Sequence, residues 1–322
     1  MSDTPRIALV ETLGSDPVIR AADPAVRRGD AILVRMHASA LNFADLLKAK
    51  GQYQEAETPP FIPGIEGAGV VQEAGPGSAF APGDRVAVLT AGTMADLIAV
   101  PGTDLLGIPD SMSLEQAAGF QIAYGTSHLA LAGRAALQPG ETLVVTGAAG
   151  GVGLTAVEIG HAMGARVIGV ARGADRLKAV RAAGAETVID SDTCDDLKTA
   201  LRDLGGAHVV YDAVGDATGE ASFGALRRGG RFLVIGFAGG RPPRLPLNHA
   251  LVKNIAIHGF YWSGYRSLDP AALRGSMSQL FTLFEAGKLR PVTGETLPLT
   301  RIAEGYEALR TRRAVGKIVI TL

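Results

Sequence analysis

Cysteine is almost absent from this sequence of 322 residues, in which Cys194 is the single example. One thiol excludes a disulfide within the chain and any cysteine-rich zinc site, and such sparse use of cysteine is typical of a reducing compartment. The sequence has no run of about 18 apolar residues, which a membrane-spanning helix would need. Its first residues also lack the cationic and apolar regions of a signal peptide. We therefore expect a cytoplasmic protein that is not inserted in a membrane.

An excess of either charge is also missing. The chain has 31 lysines and arginines against 32 aspartates and glutamates, which gives a formal net charge of −1 at pH 7. This balance does not favour a nucleic acid or an anionic membrane as partner, so we expect a small-molecule ligand and no nucleic acid. Hydrophobic residues make up 47% of the chain, and its length exceeds the usual size of one domain.

Two patterns of secondary structure follow one another along the chain. Residues 1–120 contain short β-like segments separated by glycine and proline, which predicts a β-rich domain. From about Leu114, apolar strands alternate with helices, which is typical of a parallel sheet covered on both faces. The predicted fold class is therefore α/β, with a doubly wound domain following a β-rich one.

The end of the sequence returns to the first pattern. After two predicted helices the chain finishes in the β-like run Lys317–Leu322, and such a strand can rejoin the first domain. We accordingly predict a discontinuous domain formed by residues 1–122 and 262–322. Residues 123–261 form the doubly wound domain in this prediction.

Small residues are concentrated at the turn between the first strand and first helix of the doubly wound region. A dinucleotide fold needs such residues there, because the chain must bend sharply and the backbone must approach a pyrophosphate. Backbone N–H groups at the start of the helix then bind the anion. The segment predicts contacts to a dinucleotide by Ala148, Gly150, Gly151, Val152 and Gly153, with alanine at the first position of the usual G-x-G-x-x-G pattern.

The residue after the next strand bears on the choice of cofactor. An acidic side chain there binds the adenine ribose of NAD, whereas this chain has Arg172, with Arg176 one turn later. Either arginine can pair with the 2′-phosphate of NADPH through charge-assisted hydrogen bonds. Asp175 and Asp190 are the competing candidates, since either can contact a ribose.

An ordered set of motifs resembles a known family over essentially the whole chain. The motifs are ALNFAD at 40–45, IPGIEGAGVV at 62–71, PGDRV at 82–86, YDAVG at 211–215, GGRFLVIGF at 229–237 and GKIVI at 316–320. They resemble the zinc-independent, zeta-crystallin-like quinone oxidoreductases of the medium-chain dehydrogenase/reductase superfamily. The resemblance implies a GroES-like catalytic domain, a Rossmann domain that binds NADPH, and a homodimer joined through the apolar edge strand Ile255–Phe260.

The zinc ligands of other members of that superfamily are not matched here. Ala38 stands in the region of the first ligand, Ile65 replaces the histidine of the G-H-E motif, and the four-cysteine lobe is missing. Since zinc needs about four nitrogen, sulfur or oxygen ligands, Glu66 alone makes no site. We therefore predict no bound metal.

The same resemblance implies site residues in both domains. Asn42 lies beside the nicotinamide and can donate a hydrogen bond through its amide, while Tyr53 is the nearest phenol able to act as an acid. Asn42 can instead serve only as a helix N-cap, and Tyr53 can simply line a cleft. Further cofactor contacts are implied for Thr126, Ser191, Gly236, Phe237, Ala238, Phe260, Tyr261 and Trp262. The three aromatic residues can alternatively bury area at a domain or subunit contact.

These expectations favour reduction of a quinone by NADPH. A quinone or an activated C=C bond spreads the arriving negative charge by conjugation and needs no metal Lewis acid. A 2-alkenal or enoyl-thioester reductase is the alternative within the same chemistry. A non-catalytic nucleotide-sensing or RNA-binding protein is a third hypothesis, because function does not follow from fold.

Overall fold

The polypeptide folds into two units that interleave along the sequence. The computed structural model describes residues 4–53, 55 and 57–322. The first unit runs to Gln121 and resumes over Pro291–Leu322, and the second is Ile122–Arg290.

The helices and strands follow the pattern expected from the sequence. Up to Gln121 they are β1 (Arg6–Leu9), β2 (Val18–Ala21), β3 (Ile32–Leu41), α1 (Phe43–Ala49), β4 (Gly67–Glu73), β5 (Arg85–Val88), β6 (Leu97–Val100), β7 (Leu105–Gly107) and α2 (Leu114–Ala118). The elements that follow are α3 (Gln121–His128), β8 (Thr142–Thr146), α4 (Gly151–Ala162), β9 (Arg166–Ala171), α5 (Ala174–Ala182), β10 (Thr187–Asp190), α6 (Leu197–Asp203), β11 (Ala207–Asp212), α7 (Asp216–Gly224), β12 (Leu226–Val234), α8 (Leu247–Lys253), β13 (Ala256–Gly259), α9 (Tyr265–Leu268) and α10 (Pro270–Glu285). The chain ends with β14 (Thr293–Pro298), α11 (Ile302–Arg310) and β15 (Lys317–Thr321).

The first unit is built on a mainly antiparallel sheet in the order β14-β15-β3-β4-β5-β7, with β6 paired to β3. Strand β15 pairs antiparallel with β3, so that Ile318 lies opposite Leu41. The terminal β-run therefore rejoins the first unit, as predicted. Strand β14 was not predicted, because Thr293–Pro298 carries a glycine and a proline and pairs parallel with β15 only after the chain has returned.

The second unit contains a parallel sheet in the order β10-β9-β8-β11-β12-β13. Numbered from β8, this is the 3-2-1-4-5-6 order of a doubly wound dinucleotide fold, which places a ligand at the carboxyl ends of the strands where the order reverses. The central strands β8 and β11 are buried on both faces, and Leu143, Val144, Val209 and Val210 have no exposed surface. The predicted α/β class with a β-rich unit and a doubly wound unit is confirmed.

The division of the chain differs from the predicted domains at one boundary. The prediction ended the second domain at residue 261, whereas the structure includes residues 262–290 in the second unit. These residues pack within it: Ser276 Oγ on α10 lies 2.8 Å from His128 Nδ1 on α3. The Arg290 backbone N–H also donates to Glu158 Oε1 on α4 at 2.5 Å. Side chains far apart in sequence make these bonds, and secondary-structure patterning does not reveal them.

Candidate active site

The glycine-rich turn joins β8 to α4 in the second unit. Gly147 has φ +62°, a left-handed conformation that glycine adopts without strain. A side chain at Gly153 would bring its Cβ to 2.1 Å from the Gly147 carbonyl oxygen, so only glycine lets helix α4 begin this close to the turn. Ala148 takes no left-handed conformation, and its methyl group is fully buried. Alanine at the first position of the pattern is therefore accommodated.

The first turn of α4 presents its backbone N–H groups without a side-chain cap. The N-cap residue is Gly150, which makes no side-chain hydrogen bond to the helix. Gly151 and Val152 begin the helix, and it continues for 12 residues. A helix N-terminus in this position is suited to a pyrophosphate.

The loops after β8, β11 and β12 are joined at the carboxyl ends of the strands. Buried Asp212 accepts hydrogen bonds from Thr146 Oγ1 at 2.5 Å and from Gly215 N at 3.1 Å. Burial is the main cause that raises the pKa of Asp212, while the bond from Thr146 opposes the rise. The Gly236 N–H donates to the Asp212 carbonyl, and the Ala238 N–H donates to the Ala213 carbonyl. These bonds hold Gly236, Phe237 and Ala238 at the edge predicted for the cofactor, and Phe237 is 37% exposed.

The end of β9 carries the two arginines predicted to select the cofactor. Arg172 is exposed directly after the strand, and Arg176 is half-buried on α5. Ser191 lies beside them, since its N–H donates to the Ala171 carbonyl at 2.9 Å. Asp190 Oδ1 accepts from the N–H groups of Gly173 and Asp192, so this carboxylate closes the loop after β9.

Helix α3, which carries Thr126, packs against the start of α4 through the next residue, Ser127. Ser127 Oγ, next to Thr126, donates to the Val152 carbonyl at 2.9 Å. The indole of Trp262 packs against Gly125, where an added Cβ would meet its Nε1 at 2.6 Å. Trp262 and Phe260 are buried, whereas Tyr261 is 46% exposed.

In the first unit, Asn42 lies at the start of α1 and is held by two buried charges. Lys317 Nζ donates to Asn42 Oδ1 at 2.7 Å, and Asn42 Nδ2 donates to Glu66 Oε1 at 3.0 Å. Lys317 Nζ also pairs with Glu66 Oε1 at 2.8 Å, which closes a triangle of polar atoms. Glu66 has no exposed surface, and Lys317 is 8% exposed. Asn42 is also the N-cap residue of α1 and forms a capping box with Asp45, so the same side chain takes part in the helix cap and contacts the two charges.

Asp45 supports this arrangement from below. Its carboxylate accepts from the Asn42 N–H at 2.8 Å and from the Gly64 N–H at 3.1 Å. Burial raises the pKa of Asp45 from 3.8 to about 6, an effect opposed by these hydrogen bonds and by the charges of Lys317 and Lys48.

Tyr53 follows α1 and lies against a buried lysine. Lys48 Nζ lies 5.6 Å from the centre of the Tyr53 ring and pairs with Glu57 Oε1 at 2.8 Å. A cation at this distance from an aromatic face is attracted to the ring. The ammonium of Lys48 therefore helps to hold the Tyr53 ring in place.

Glu66 and Lys317 were not predicted as site residues. The sequence motifs bear on Glu66 only as a zinc ligand, and on Lys317 only as part of the terminal β-run. The signal available in the sequence was a lysine at the start of an otherwise apolar strand, where a charged residue is unusual. The residues 4–53, 55 and 57–322 contain no group of three or more His, Cys, Asp or Glu side chains that could hold a metal ion. Within the same residues no helix is long and apolar enough to cross a membrane.

Family models match both units. Residues 28–110 match the alcohol dehydrogenase GroES-like domain, and residues 151–281 match the zinc-binding dehydrogenase domain. The chain is 37% identical over 297 residues to a quinone oxidoreductase-like protein 2 homolog of Nematostella vectensis, covering 90% of this chain and 81% of that protein. It is 34% identical over 323 residues to quinone oxidoreductase-like protein 2 of Bos taurus, covering 98% and 92%. The chain belongs to the quinone oxidoreductase branch of the medium-chain dehydrogenase/reductase superfamily.

Other relatives and solved structures agree with this assignment. Acryloyl-coenzyme A reductase of Metallosphaera sedula is 30% identical over 329 residues, covering 93% of this chain and 94% of that protein. The quinone oxidoreductase of Thermus thermophilus, solved also as its NADPH complex, has a TM-score of 0.85 at 31% identity and covers 98% of this chain and 100% of that chain. The NADPH complex of the Escherichia coli quinone oxidoreductase has a TM-score of 0.89 at 26% identity, covering 98% and 100%. As a member of this superfamily, the protein is an oxidoreductase.

Proposed function

We propose that the protein is a metal-free, NADPH-dependent quinone oxidoreductase. The observation that carries the proposal is the turn from Gly147 to Gly153, which only glycine at position 153 permits, with Arg172 where an NAD-binding protein has an acid. The NADPH complexes of the two quinone oxidoreductases support the same cofactor.

Different residues of the second unit are suited to different parts of NADPH. The N–H groups at Gly151 and Val152, with the positive end of the α4 dipole, bind the pyrophosphate. Arg172 and Arg176 bind the 2′-phosphate through charge-assisted hydrogen bonds. Thr126, Ser191, the segment Gly236–Ala238 and the aromatic residues 260–262 complete the proposed contacts. When bound, NADPH supplies a hydride at C4 of its nicotinamide.

The first unit supplies the polar groups that the reaction needs. Asn42 positions the reacting oxygen by donating a hydrogen bond, and Tyr53 donates a proton to the oxygen that gains charge. The ammonium of Lys48 near the Tyr53 ring stabilises the phenolate left by that transfer. Reduction of a conjugated acceptor thus proceeds without a metal ion in this proposal.

A second candidate is reduction of the C=C bond of an enoyl thioester or 2-alkenal. The observation that favours it is the 30% identity to acryloyl-coenzyme A reductase over nearly the whole chain. Both reactions use the same hydride donor and differ in the acceptor.

The acceptor decides between these proposals. The purified protein is mixed with NADPH and with 1,4-benzoquinone, 9,10-phenanthrenequinone, a 2-alkenal or crotonyl-coenzyme A, and the absorbance of NADPH is followed. Oxidation by the quinones supports the first proposal, whereas oxidation by the enoyl compounds alone supports the second. Binding of NADPH with no oxidation by any acceptor contradicts both and favours a nucleotide sensor. Tyr53→Phe should slow turnover; its control is Tyr306→Phe, because Tyr306 Oη has no hydrogen-bond partner among the described residues.

We also propose that two copies of the chain associate through the edge of the parallel sheet. Strand β13 pairs with β12 on one side and is the last strand in the sheet order. An open strand edge favours pairing with a second copy. Helix α8, directly before β13, exposes Leu247, Leu251 and Val252 at 69%, 78% and 61%. Such neighbouring apolar side chains are suited to burial in a subunit interface.

A further inference from the structure

We propose that Glu66 and Lys317 are positioning residues that hold the Asn42 amide in one orientation and leave one Nδ2 hydrogen to be offered to the acceptor's oxygen. This inference rests on the proposed function and names two further residues for the same reaction. Neither residue touches the acceptor in the proposal, and both act through Asn42.

The contacts define the orientation of the amide. Oδ1 accepts from the Lys317 ammonium at 2.7 Å, and Nδ2 donates to the Glu66 carboxylate at 3.0 Å. An ammonium has donors only, and a carboxylate has acceptors only. Rotating the amide by 180° would therefore place oxygen against oxygen and nitrogen against nitrogen. The two charges together allow one of the two orientations.

The second hydrogen on Asn42 Nδ2 is the one that can form a hydrogen bond to the acceptor. It points to the Ala40 carbonyl oxygen at a nitrogen–oxygen distance of 3.3 Å, beyond the usual range for such a bond. The bond to Glu66 is shorter and has a charged acceptor, so it is the stronger of the two. In the proposal the acceptor's oxygen competes with the Ala40 carbonyl for this hydrogen, while the bond to Glu66 is kept.

The position of Lys317 is fixed by its surroundings. Its side chain packs over Gly119, where an added Cβ would lie 3.3 Å from Lys317 Cβ, Cγ and Cε. Strand β15 is held in register against β3, with Ile318 opposite Leu41, the residue before Asn42. The ammonium therefore has little freedom to leave Asn42.

Stability alone does not explain a buried pair of this kind. Removing both charges from water carries a desolvation cost that often cancels their attraction, and apolar replacements are often neutral or stabilising. The pair is costly to break on one side only, because the remaining charge is left without a partner. Because apolar side chains could fill the same space, we attribute the presence of this ion pair to its role in orienting Asn42.

The test removes both charges together. The variant Glu66→Leu with Lys317→Met leaves no uncompensated charge and should fold, while it releases the amide of Asn42. We expect kcat to fall by about tenfold to a hundredfold, since a displaced group can cost about a hundredfold in rate. The free energy of unfolding should stay close to that of the wild type or rise. The single variant Lys317→Arg keeps a charged donor beside Glu66 and should retain most of the wild-type kcat.

Non-additivity separates positioning from an independent role. Asn42→Ala is measured alone and combined with Glu66→Leu and Lys317→Met. If both residues act through Asn42, the triple variant should have the kcat of Asn42→Ala within about threefold. Losses that multiply overturn the proposal, as does a double variant with unchanged kcat. Leu297→Ala, a core change in the neighbouring strand β14, should lower stability without lowering kcat at a temperature where the protein is folded.

A second readout does not need turnover. The side-chain NH₂ signals of Asn42, assigned by their loss in Asn42→Ala, report its hydrogen bonds in ¹⁵N NMR spectra. In the double variant they should move toward the positions of a solvent-exposed amide, and unchanged signals overturn the proposal. If none of the tested acceptors leads to oxidation of NADPH by the wild type, the proposed function fails. The NMR result still decides whether the two charges orient Asn42.

Discussion

In the proposed function, the choice of cofactor depends on the side chain of Arg172. It is exposed directly after β9, while Asp190, the nearby acid, is used by the backbone of the adjoining loop. An arginine in this place attracts a 2′-phosphate and gives no particular affinity for a 2′-hydroxyl.

Arg172→Asp should lower kcat/KM for NADPH by about tenfold or more and change that for NADH much less. The reason is that a hydrogen bond to a charged group contributes about 1.5–3 kcal/mol, and 1.4 kcal/mol corresponds to about a tenfold change. Steady-state kinetics with both cofactors measure the effect. Arg181→Asp, at an exposed arginine on α5, is the control. An equal loss with NADPH and NADH would remove Arg172 from the 2′-phosphate site.

Asp45 should make stability depend on pH. Because its pKa is raised in the fold to about 6 from 3.8, the protonated form is favoured by folding. Its contribution is fully present below about pH 4 and is lost as the pH rises through about 6, with an upper limit of about 3 kcal/mol. In Asp45→Asn this pH dependence should disappear. Urea unfolding of both proteins between about pH 4 and pH 7 measures it, with Asp110→Asn at an exposed site as the control. If the free energy of unfolding depended on pH in the same way in the wild type and in Asp45→Asn, Asp45 would not be the group responsible.

The residues that sequence reasoning found and missed differ in how local their role is. Arg172 and the glycine turn lie within about 25 residues of one another, and each is recognisable from its place after a strand. The partners of Asn42 are distant, since Lys317 is 275 residues and Glu66 is 24 residues away in the chain. Only the pairing of β15 with β3 brings Lys317 to Asn42. Periodicity predicts such strands but not which side chains meet.

At the scale of elements, the β8–α4 turn is the feature most sensitive to side-chain size. The Cβ of any residue at 153 would overlap the Gly147 carbonyl oxygen, which belongs to the backbone and cannot rotate away. The turn and the start of α4 would have to separate. The observed helix is Gly151–Ala162, and the apolar pattern of this segment indicates its core face but not its first N–H.

Gly153→Ala should therefore weaken NADPH binding and lower the free energy of unfolding by about 1–3 kcal/mol, as overpacking does. Thermal unfolding and titration of cofactor fluorescence measure the two effects. Gly275→Ala is the matched control, because this exposed position inside α10 has no atom within 4 Å of the added Cβ. It should raise stability by up to about 1 kcal/mol and leave binding unchanged. A tightly binding Gly153→Ala protein would show that the close approach is unnecessary.

At the scale of the whole molecule, the sequence predicted both fold types and the return of the chain to the first unit. It did not predict that residues 262–290 belong with the second unit, because the bonds of Ser276 and Arg290 to α3 and α4 join distant side chains. The exposed edge of β13 was predicted from its apolar run, and the structure adds the apolar surface of α8 next to it.

Light scattering of the purified protein should give the mass of two chains of 33.2 kDa each. Ile257→Lys, at a 38% exposed side chain of β13, should shift the mass toward one chain, because a charge at a buried strand edge opposes pairing. Val26→Lys, at a 70% exposed position of the first unit, should leave the mass unchanged. A wild-type mass of one chain would exclude the proposed dimer.

The reaction that we propose for this protein is direct hydride transfer from NADPH to a quinone without a metal ion. We would follow NADPH absorbance in a single turnover with 9,10-phenanthrenequinone, after dialysis against a chelator, using NADPH deuterated at one or the other hydrogen of nicotinamide C4. We expect full activity after chelation and a slower reaction with one of the two deuterated cofactors. Loss of activity that added Zn²⁺ restores, or equal rates with both deuterated forms and unlabelled NADPH, would contradict it.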